Sequence, residues 1–218
     1  MAEERVLVVE RKTVEDVGTF HGLNFNVDAY LSALFAPGAA RFIPRSAAEN
    51  DPNYKQLIPY VIMTHDGRYL TYVRGKRAGE TRLVGNRSIG IGGHINPVDD
   101  MPLLGSFGHT YLEAVRREVA EETTLGANHT DHIVALLNDD SNDVGKVHLG
   151  IVHYWTLDAV NVRRREQMIT QMTFMTPDEL RRLRDTMETW SQLCLDGLEQ
   201  MAEKAAAAAP AETVFDNR

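Results

Sequence analysis

The order of apolar and polar residues predicts that the first fifty residues form a strand followed by an amphipathic helix. The apolar run VLVVE near the start is typical of a short strand. After it, apolar residues recur at the spacing of one helix face: Val27, Tyr30, Leu31, Leu34 and Phe35. Because such a stripe needs a packing partner, we expect an N-terminal strand-helix extension, residues 1–50, that packs on the main domain or on a second subunit.

From about residue 55 the pattern changes to strands separated by turns, and then to helices. The segments QLIPYVIMTH and YLTYVRG flank a His65-Asp66-Gly67-Arg68 turn, which predicts a β-hairpin. Glycine-rich SIGIGGHI, a helix, the strands HIVALLN, KVHLGIVHYWTL and QMTFM, and two C-terminal helices follow. We expect one α+β domain over residues 51–204, in which a mixed β-sheet lies between helices.

Two local signals mark the C-terminal part of the chain. The order Thr176-Pro177-Asp178-Glu179 is a capping box with proline at the first helical position, so a helix begins there. The alanine-rich end, residues 205–218, has low complexity and is expected to be a flexible tail.

The composition and charge of the chain argue against several classes of protein. No apolar run approaches the roughly 20 residues needed to cross a bilayer, and the start lacks the pattern of a secretory signal, so we expect a cytoplasmic protein without a membrane partner. A net charge of −8 argues against binding duplex nucleic acid. The single cysteine, Cys194, lies in an apolar helical stripe and is expected to be a buried thiol.

The segment GHTYLEAVRREVAEETTL, residues 108–125, is expected to carry the chemistry. We expect a helix that begins at Thr110, with Glu113 closing a capping box. At about 100° per residue, Leu112, Val115 and Val119 form one apolar face. An adjoining flank carries three carboxylates: Glu118, Glu121 and Glu122.

Carboxylates at this spacing have two interpretations. They repel one another by a few tenths of a kcal/mol per pair, so a purely structural helix gains nothing from them. A bound dication would reverse that sign, because hard cations such as Mg²⁺ prefer carboxylate oxygens. From charge spacing alone, a solvated acidic face is the commoner meaning.

The residues around these glutamates resemble the signature of the Nudix hydrolase family, G-x5-E-x7-R-E-U-x-E-E-x-G-U, where U is a bulky aliphatic residue. The matching residues, in order, are Gly93, Arg117-Glu118, Val119, Glu121-Glu122 and Leu125. The chain resembles a divergent subgroup of that family, the predicted Nudix phosphoesterases. The resemblance implies an α/β/α sandwich.

The match departs from the signature at three places. His109 stands where the first signature glutamate is expected, and Thr124 replaces the last glycine. Gly93 and His109 are separated by fifteen residues where the signature has five, which predicts an insertion of ten residues within 96–106.

The resemblance also implies roles for individual residues. Glu118, Glu121 and Glu122 would hold Mg²⁺ or Mn²⁺, and Arg117 would orient a glutamate through an ion pair. Further candidates are Glu166 as an additional catalytic carboxylate, and Gly92, Gly93 and Arg74 as contacts to the substrate.

The implied reaction is attack of metal-activated water on a phosphoanhydride bond in a nucleoside diphosphate linked to another moiety. We expect a nucleotide-type small-molecule substrate and a homodimer. One alternative is a non-catalytic module that binds a nucleotide or nucleotide-sugar, which the replaced glutamate and glycine would favour. Another, an isomerase of an allylic diphosphate, would need an active-site cysteine, whereas Cys194 lies in a C-terminal helix.

Overall fold

The structure, a computed structural model, describes residues 3–75, 85–99, 107–165 and 169–208. The strands are β1 (Arg5–Glu10), β2 (Gly22–Asn24), β3 (Ala40–Pro44), β4 (Tyr54–His65), β5 (Arg68–Arg74), β6 (Arg87–Ser88), β7 (Gly90–Gly92), β8 (Thr123–Leu125), β9 (His129–Asn138), β10 (His148–Leu157), β11 (Val162–Arg164) and β12 (Ile169–Met175). The helices are α1 (Arg11–Val17), α2 (Val27–Leu34), α3 (Arg45–Asn50), α4 (Phe107–Glu122), α5 (Asp143–Lys146), α6 (Pro177–Arg182), α7 (Thr189–Asp196) and α8 (Leu198–Ala207). Single 3-10 turns span Pro97–Asp99 and Arg184–Thr186.

The fold is mixed α/β, as the sequence predicted. Its main sheet has the strand order β12-β5-β4-β10-β9-β2, with β1, β3, β6 and β7 paired beside this path. The predicted hairpin is β4–β5, in which His65 pairs with Arg68. Its turn residues Asp66 and Gly67 have φ of 47° and 70°, as a two-residue hairpin turn requires.

The described chain divides into two compact units. The first comprises residues 1–60, 92–118 and 135–152, and the second comprises residues 61–91, 119–134 and 153–218. Four strands, β4, β7, β9 and β10, and helix α4 contribute residues to both units.

The predicted N-terminal strand and helix are present in the first unit as β1 and α2. Strand β1 pairs with β3 on one side and with β4 on the other, so its four apolar residues, 6–9, are fully buried. Helix α2 buries Val27, Tyr30 and Leu34. The apolar stripe of the extension is therefore largely covered within the chain itself.

The C-terminal helices belong to the second unit. The capping box at the start of α6 is confirmed, since the Thr176 side chain accepts from the Glu179 backbone and the Glu179 side chain accepts from the Thr176 backbone. Cys194 is fully buried, and burial raises the pKa of its thiol. None of the described helices is long and apolar enough to cross a membrane.

The expectation that the flexible tail begins at Ala205 was wrong for its first residues. Helix α8 continues to Ala207, and Ala205 is 8% exposed. The reason is helical spacing, because Ala205 extends the buried stripe formed by Leu198 and Met201. Residues 209–218 lie outside the described part of the chain.

Candidate active site

Helix α4 begins earlier and buries a different face than the sequence suggested. Its first residue is Phe107, so Thr110 lies within the helix, and Glu113 pairs with Arg116. Val115 and Val119 are buried as predicted, but Leu112 is 37% exposed, so the buried face is rotated from the predicted one towards Tyr111. The buried residues of α4 include Tyr111, Ala114, Val115 and Val119.

This rotation changes the surroundings of the three glutamates. Glu118 and Glu122 are seven and eleven residues after Tyr111, which places both within about 20° of its buried direction. The Glu118 side chain is 13% exposed and Glu122 is 9% exposed, whereas Glu121 is exposed. Burying a carboxylate is costly unless cations or hydrogen-bond donors compensate, so Glu118 and Glu122 are the unusual members of the set.

Arg117 compensates Glu118 directly. Its Nη1 donates to Glu118 Oε1 at 2.8 Å. The same guanidinium forms a two-pronged ion pair with Asp99, from Nε to Oδ1 at 2.7 Å and from Nη2 to Oδ2 at 2.9 Å, and Nη2 also donates to the His94 carbonyl at 2.8 Å. The hydrogen bonds to Asp99 raise the pKa of Arg117 above its ordinary value, so it stays charged.

Asp99, which pairs with Arg117, is a residue of the candidate site that the sequence analysis did not single out. It follows Gly93 after five residues, which is the signature spacing with aspartate in place of glutamate. Assigning the first acidic position to His109 was therefore wrong, and His109 is exposed on α4. The spacing carries the signal, because aspartate offers the same carboxylate as glutamate on a side chain that is one methylene shorter.

Because Asp99 is in register, the extra residues lie after it. Seventeen residues separate Asp99 from Arg117 where the signature has seven. The predicted insertion, 96–106, therefore began too early. Residues 96–99 form an ordered turn in which the Asn96 backbone N–H donates to Asp99 Oδ2 at 2.8 Å, and Asp99 is 3% exposed. Residues 100–106 lie outside the described residues.

The two glycines before this turn are required by close contacts. A Cβ at Gly93 would lie 2.1 Å from Glu118 Oε2, so the missing side chain makes room for that carboxylate. A Cβ at Gly92 would lie 2.2 Å from the backbone oxygen of Pro59, so Gly92 lets β7 approach β4. Both positions thus have a packing reason, and contact with substrate phosphates stays a prediction for them.

Arg74 already has a protein partner in the second unit. Its side chain is 18% exposed and pairs with Glu188, whose side chain is 7% exposed. Burial opposes the charge of Arg74, but negative neighbours that include Glu188 and Glu122 outweigh it and raise the pKa of the guanidinium. Glu122 is thus within the electrostatic reach of a buried cation, and a contact from Arg74 to substrate stays a prediction.

The end of α4 is followed by a two-stranded ribbon. Strand β8 comes directly after the helix and pairs antiparallel with β11. Glu166 lies outside the described residues. Its chain neighbour Arg165 is described, and the Arg165 backbone N–H donates to the Glu122 carbonyl at 2.9 Å.

The donor chemistry of α4 fits a divalent metal. Within the described residues, no group of three or more His, Cys, Asp and Glu side chains is arranged to hold a metal ion. The carboxylates on α4 nevertheless offer the oxygen ligands that Mg²⁺ and Mn²⁺ prefer. The Glu118 carboxylate occupies the space that a side chain at position 93 would fill, so the absence of that side chain allows the carboxylate to lie there.

Comparisons with known proteins point to one family. No protein-family model matches the chain. The chain is 34% identical over 208 residues to Protein YmaB of Bacillus subtilis, covering 90% of this chain and 98% of YmaB. The crystal structure of Tm1382, a protein assigned to the Nudix hydrolases, matches with a TM-score of 0.74 and 27% identity, covering 89% of this chain and 98% of Tm1382.

More distant solved structures share the fold. DR0079 from Deinococcus radiodurans matches with a TM-score of 0.50 and 17% identity, over 71% of this chain and 89% of that protein. A Nudix hydrolase from Nitrosomonas europaea matches with a TM-score of 0.50 and 16% identity, over 74% of this chain and 97% of that protein.

Proposed function

The chain belongs to the Nudix hydrolases, as a divergent phosphohydrolase related to YmaB, and we propose that its reaction depends on Mg²⁺ or Mn²⁺. The proposed substrate is a nucleoside diphosphate linked to another moiety, cleaved at a phosphoanhydride bond. The observation that supports this proposal is the position of Glu118. Its carboxylate fills the space beside Gly93 and accepts a hydrogen bond from Arg117.

Three carboxylates of one helix are the proposed metal ligands: Glu118, Glu121 and Glu122. Arg117 fixes Glu118, and Asp99 in turn fixes Arg117 through two hydrogen bonds, so the carboxylate is oriented before any ligand arrives. When bound, a divalent ion supplies polarisation of a phosphoryl oxygen and a lower pKa for the attacking water.

The remaining candidates are proposed to serve the substrate. Arg74 is proposed to contact it with donors that Glu188 does not use, because a guanidinium has five N–H donors. Gly92 and Gly93 are proposed to let the backbone come close to the phosphates. Glu166 is the proposed further carboxylate, and it follows Arg165, whose backbone is bonded to the end of α4.

A homodimer is also proposed, with weaker support than the sequence suggested. The apolar residues of β1 and much of α2 are already buried within one chain, so less apolar surface needs a second copy. Light scattering at micromolar concentration decides this, and a mass of 24.4 kDa would mean a monomer.

The function is tested by a screen over nucleoside triphosphates, dinucleoside polyphosphates, ADP-ribose and nucleotide-sugars, in which the nucleotide products are detected by chromatography. Chromatography is needed because cleavage of a linked nucleoside diphosphate gives a nucleoside monophosphate and a second phosphomonoester, with no free phosphate. Each compound is assayed with and without Mg²⁺ or Mn²⁺, and binding of the same compounds is measured in parallel. Metal-dependent cleavage of a linked nucleoside diphosphate supports the proposal. Tight binding of a nucleotide or nucleotide-sugar without cleavage under any condition would favour the non-catalytic alternative.

A further inference from the structure

The last turn of α4 places negative charge where a helix tolerates it poorly. The C-terminal end of a helix carries a partial negative charge, so acidic side chains there are unfavourable and cations are favourable. Glu121 and Glu122 occupy this end, and the helix has no basic residue in its own last turn. Cations from elsewhere in the chain can offset them, as Arg74 does for Glu122.

Arg165 brings such a cation to the end of the helix from a distant part of the chain. Its Nη1 donates to the Ala120 carbonyl at 2.9 Å, and its backbone N–H donates to the Glu122 carbonyl at 2.9 Å. Both carbonyls belong to the group of four that a helix leaves without internal partners at its C-terminal end. A third, that of Val119, accepts from the Thr123 hydroxyl at 2.8 Å.

The ribbon β8–β11 fixes the approach of Arg165. Thr123, the first residue of β8, pairs with Arg164, the last residue of β11. Arg165, the residue that follows β11, is therefore placed opposite Glu122, the residue that ends the helix. The backbone contact of Arg165 with Glu122 follows from this antiparallel register. Arg165 is therefore positioned by the ribbon as well as by its own side chain.

We propose that Arg165 is a positioning residue, which fixes the last turn of α4 and thereby aims the carboxylates of Glu121 and Glu122 at the metal. This proposal rests on the proposed metal-dependent hydrolysis. Arg165 acts through the helix backbone: two hydrogen bonds hold the carbonyls of Ala120 and Glu122, and its positive charge offsets the negative helix end. Its side chain is assigned no contact with the substrate.

Two other roles for Arg165 would affect melting temperature, metal affinity and kinetic constants differently when the residue is replaced. A residue that only stabilises the fold would lower the melting temperature of the metal-free protein and leave metal affinity and turnover unchanged. A residue that binds a substrate phosphate would raise KM and leave both kcat and metal affinity unchanged. A positioning residue weakens metal binding and lowers kcat while KM stays nearly constant.

The experiment compares Arg165→Ala, Arg165→Gln and Arg165→Lys in the full chain, with Arg163→Ala as the matched control. Arg163 is exposed on the same ribbon, where it pairs with Thr124. Binding of Mn²⁺ alone is measured by isothermal titration calorimetry, and kcat and KM are measured on the substrate from the screen. The melting temperature of each metal-free variant shows that it is folded.

We expect Arg165→Ala to weaken Mn²⁺ binding and lower kcat by about tenfold each, the scale on which groups that orient metal ligands are felt. Arg165→Lys should recover most of the loss because it keeps the charge, and Arg163→Ala should match the parent. If Arg165→Ala does not fold, a difference between the Gln and Lys variants in Mn²⁺ affinity supports the proposal, and equality of both with the parent overturns it.

The remaining outcomes separate the two proposals. If the parent binds no Mn²⁺, the metal-dependent function fails and the role of Arg165 fails with it. If the parent binds Mn²⁺ and Arg165→Ala binds it equally well with unchanged kcat, only the positioning role is overturned. A raised KM at constant kcat also overturns it, in favour of a substrate contact.

Discussion

The two ends of the acidic part of α4 are supported by different means. Glu118 is supported by side chains, since Arg117 holds its carboxylate and Asp99 holds Arg117. The turn that carries Glu121 and Glu122 is supported through its backbone, by hydrogen bonds from Arg165 to two carbonyls. A charged side chain can thus be oriented by direct ion pairs, or by fixing the main chain that carries it.

The largest expected effect concerns Glu122. Glu122→Gln removes a proposed metal ligand, and we expect it to lower turnover at least about 100-fold and to abolish stabilisation by Mg²⁺ or Mn²⁺. The melting temperature of the metal-free protein should change little, because the lost attraction to Arg74 is offset by weaker repulsion among the glutamates.

Glu113→Gln on the same helix is the control for this variant, because Glu113 pairs with Arg116 and has no proposed role at the site. It should keep metal response and turnover within a few-fold of the parent. Thermal shifts with metal that are the same in the parent and both variants would make α4 a solvated acidic helix and remove the catalytic interpretation.

The second prediction separates the two glycines. Gly92→Ala would push a Cβ against the backbone oxygen of Pro59, so a strand must move, and we expect a loss of about 2–3 kcal/mol in the free energy of unfolding. The three atoms nearest to a Cβ at position 93 all belong to the movable carboxylate of Glu118, so the stability loss of Gly93→Ala should be smaller and its metal affinity should fall.

Urea denaturation and Mn²⁺ titration on both variants check this contrast. A Gly93→Ala protein that binds Mn²⁺ like the parent would show that the position of the Glu118 carboxylate does not matter for the metal.

The third prediction tests which residue fills the first acidic position of the signature. Asp99→Asn removes one of the two carboxylates paired with Arg117, the one that accepts two of its hydrogen bonds, and we expect it to lower the free energy of unfolding by about 2 kcal/mol. His109→Ala, at an exposed position, should change it by less than about 0.5 kcal/mol. Chemical denaturation of both variants at pH 7 gives the two values, and the reverse order would restore His109 as the matching position.

The smallest expected effect is a pH dependence of the free energy of unfolding, caused by His94 near the Glu118 end of the acidic part of α4. His94, whose carbonyl accepts from Arg117, is buried, and burial lowers the pKa of its imidazole to about 3. Between about pH 6.5 and pH 3 the unfolded chain binds a proton at His94 that the folded chain does not bind. The free energy of unfolding therefore falls as pH decreases through this window.

From pH 7.5 to 5.5 this linkage should cost about 1 kcal/mol. His94→Gln should remove that part of the slope, whereas His109→Gln on the exposed side of α4 should leave it unchanged. Urea denaturation at the two pH values provides the measurement, and a parent and a His94→Gln variant with parallel pH profiles would contradict the assignment.

Features that depend on near neighbours in the chain could be predicted from the sequence. The turn residues Asp66 and Gly67 specify the β4–β5 hairpin, and Thr176 and Glu179 specify the start of α6, because each signal acts within four residues. The spacing of Arg117-Glu118 and Glu121-Glu122 on one helix is also local, since a helix fixes the angle between residues along its length. Fold class and family followed from such signals.

The rotation of α4 about its axis and the partners of its charged side chains depend on contacts that are distant in sequence. Periodicity gives the spacing of a stripe but not its phase, so Leu112 and Tyr111 are equally good starting points until neighbouring elements bury Tyr111. The pairing of Arg117 with Asp99 crosses a stretch of extra residues, and Arg165 reaches Ala120 over 45 positions in sequence. Such contacts depend on the path of the chain in space, and no local pattern encodes that path.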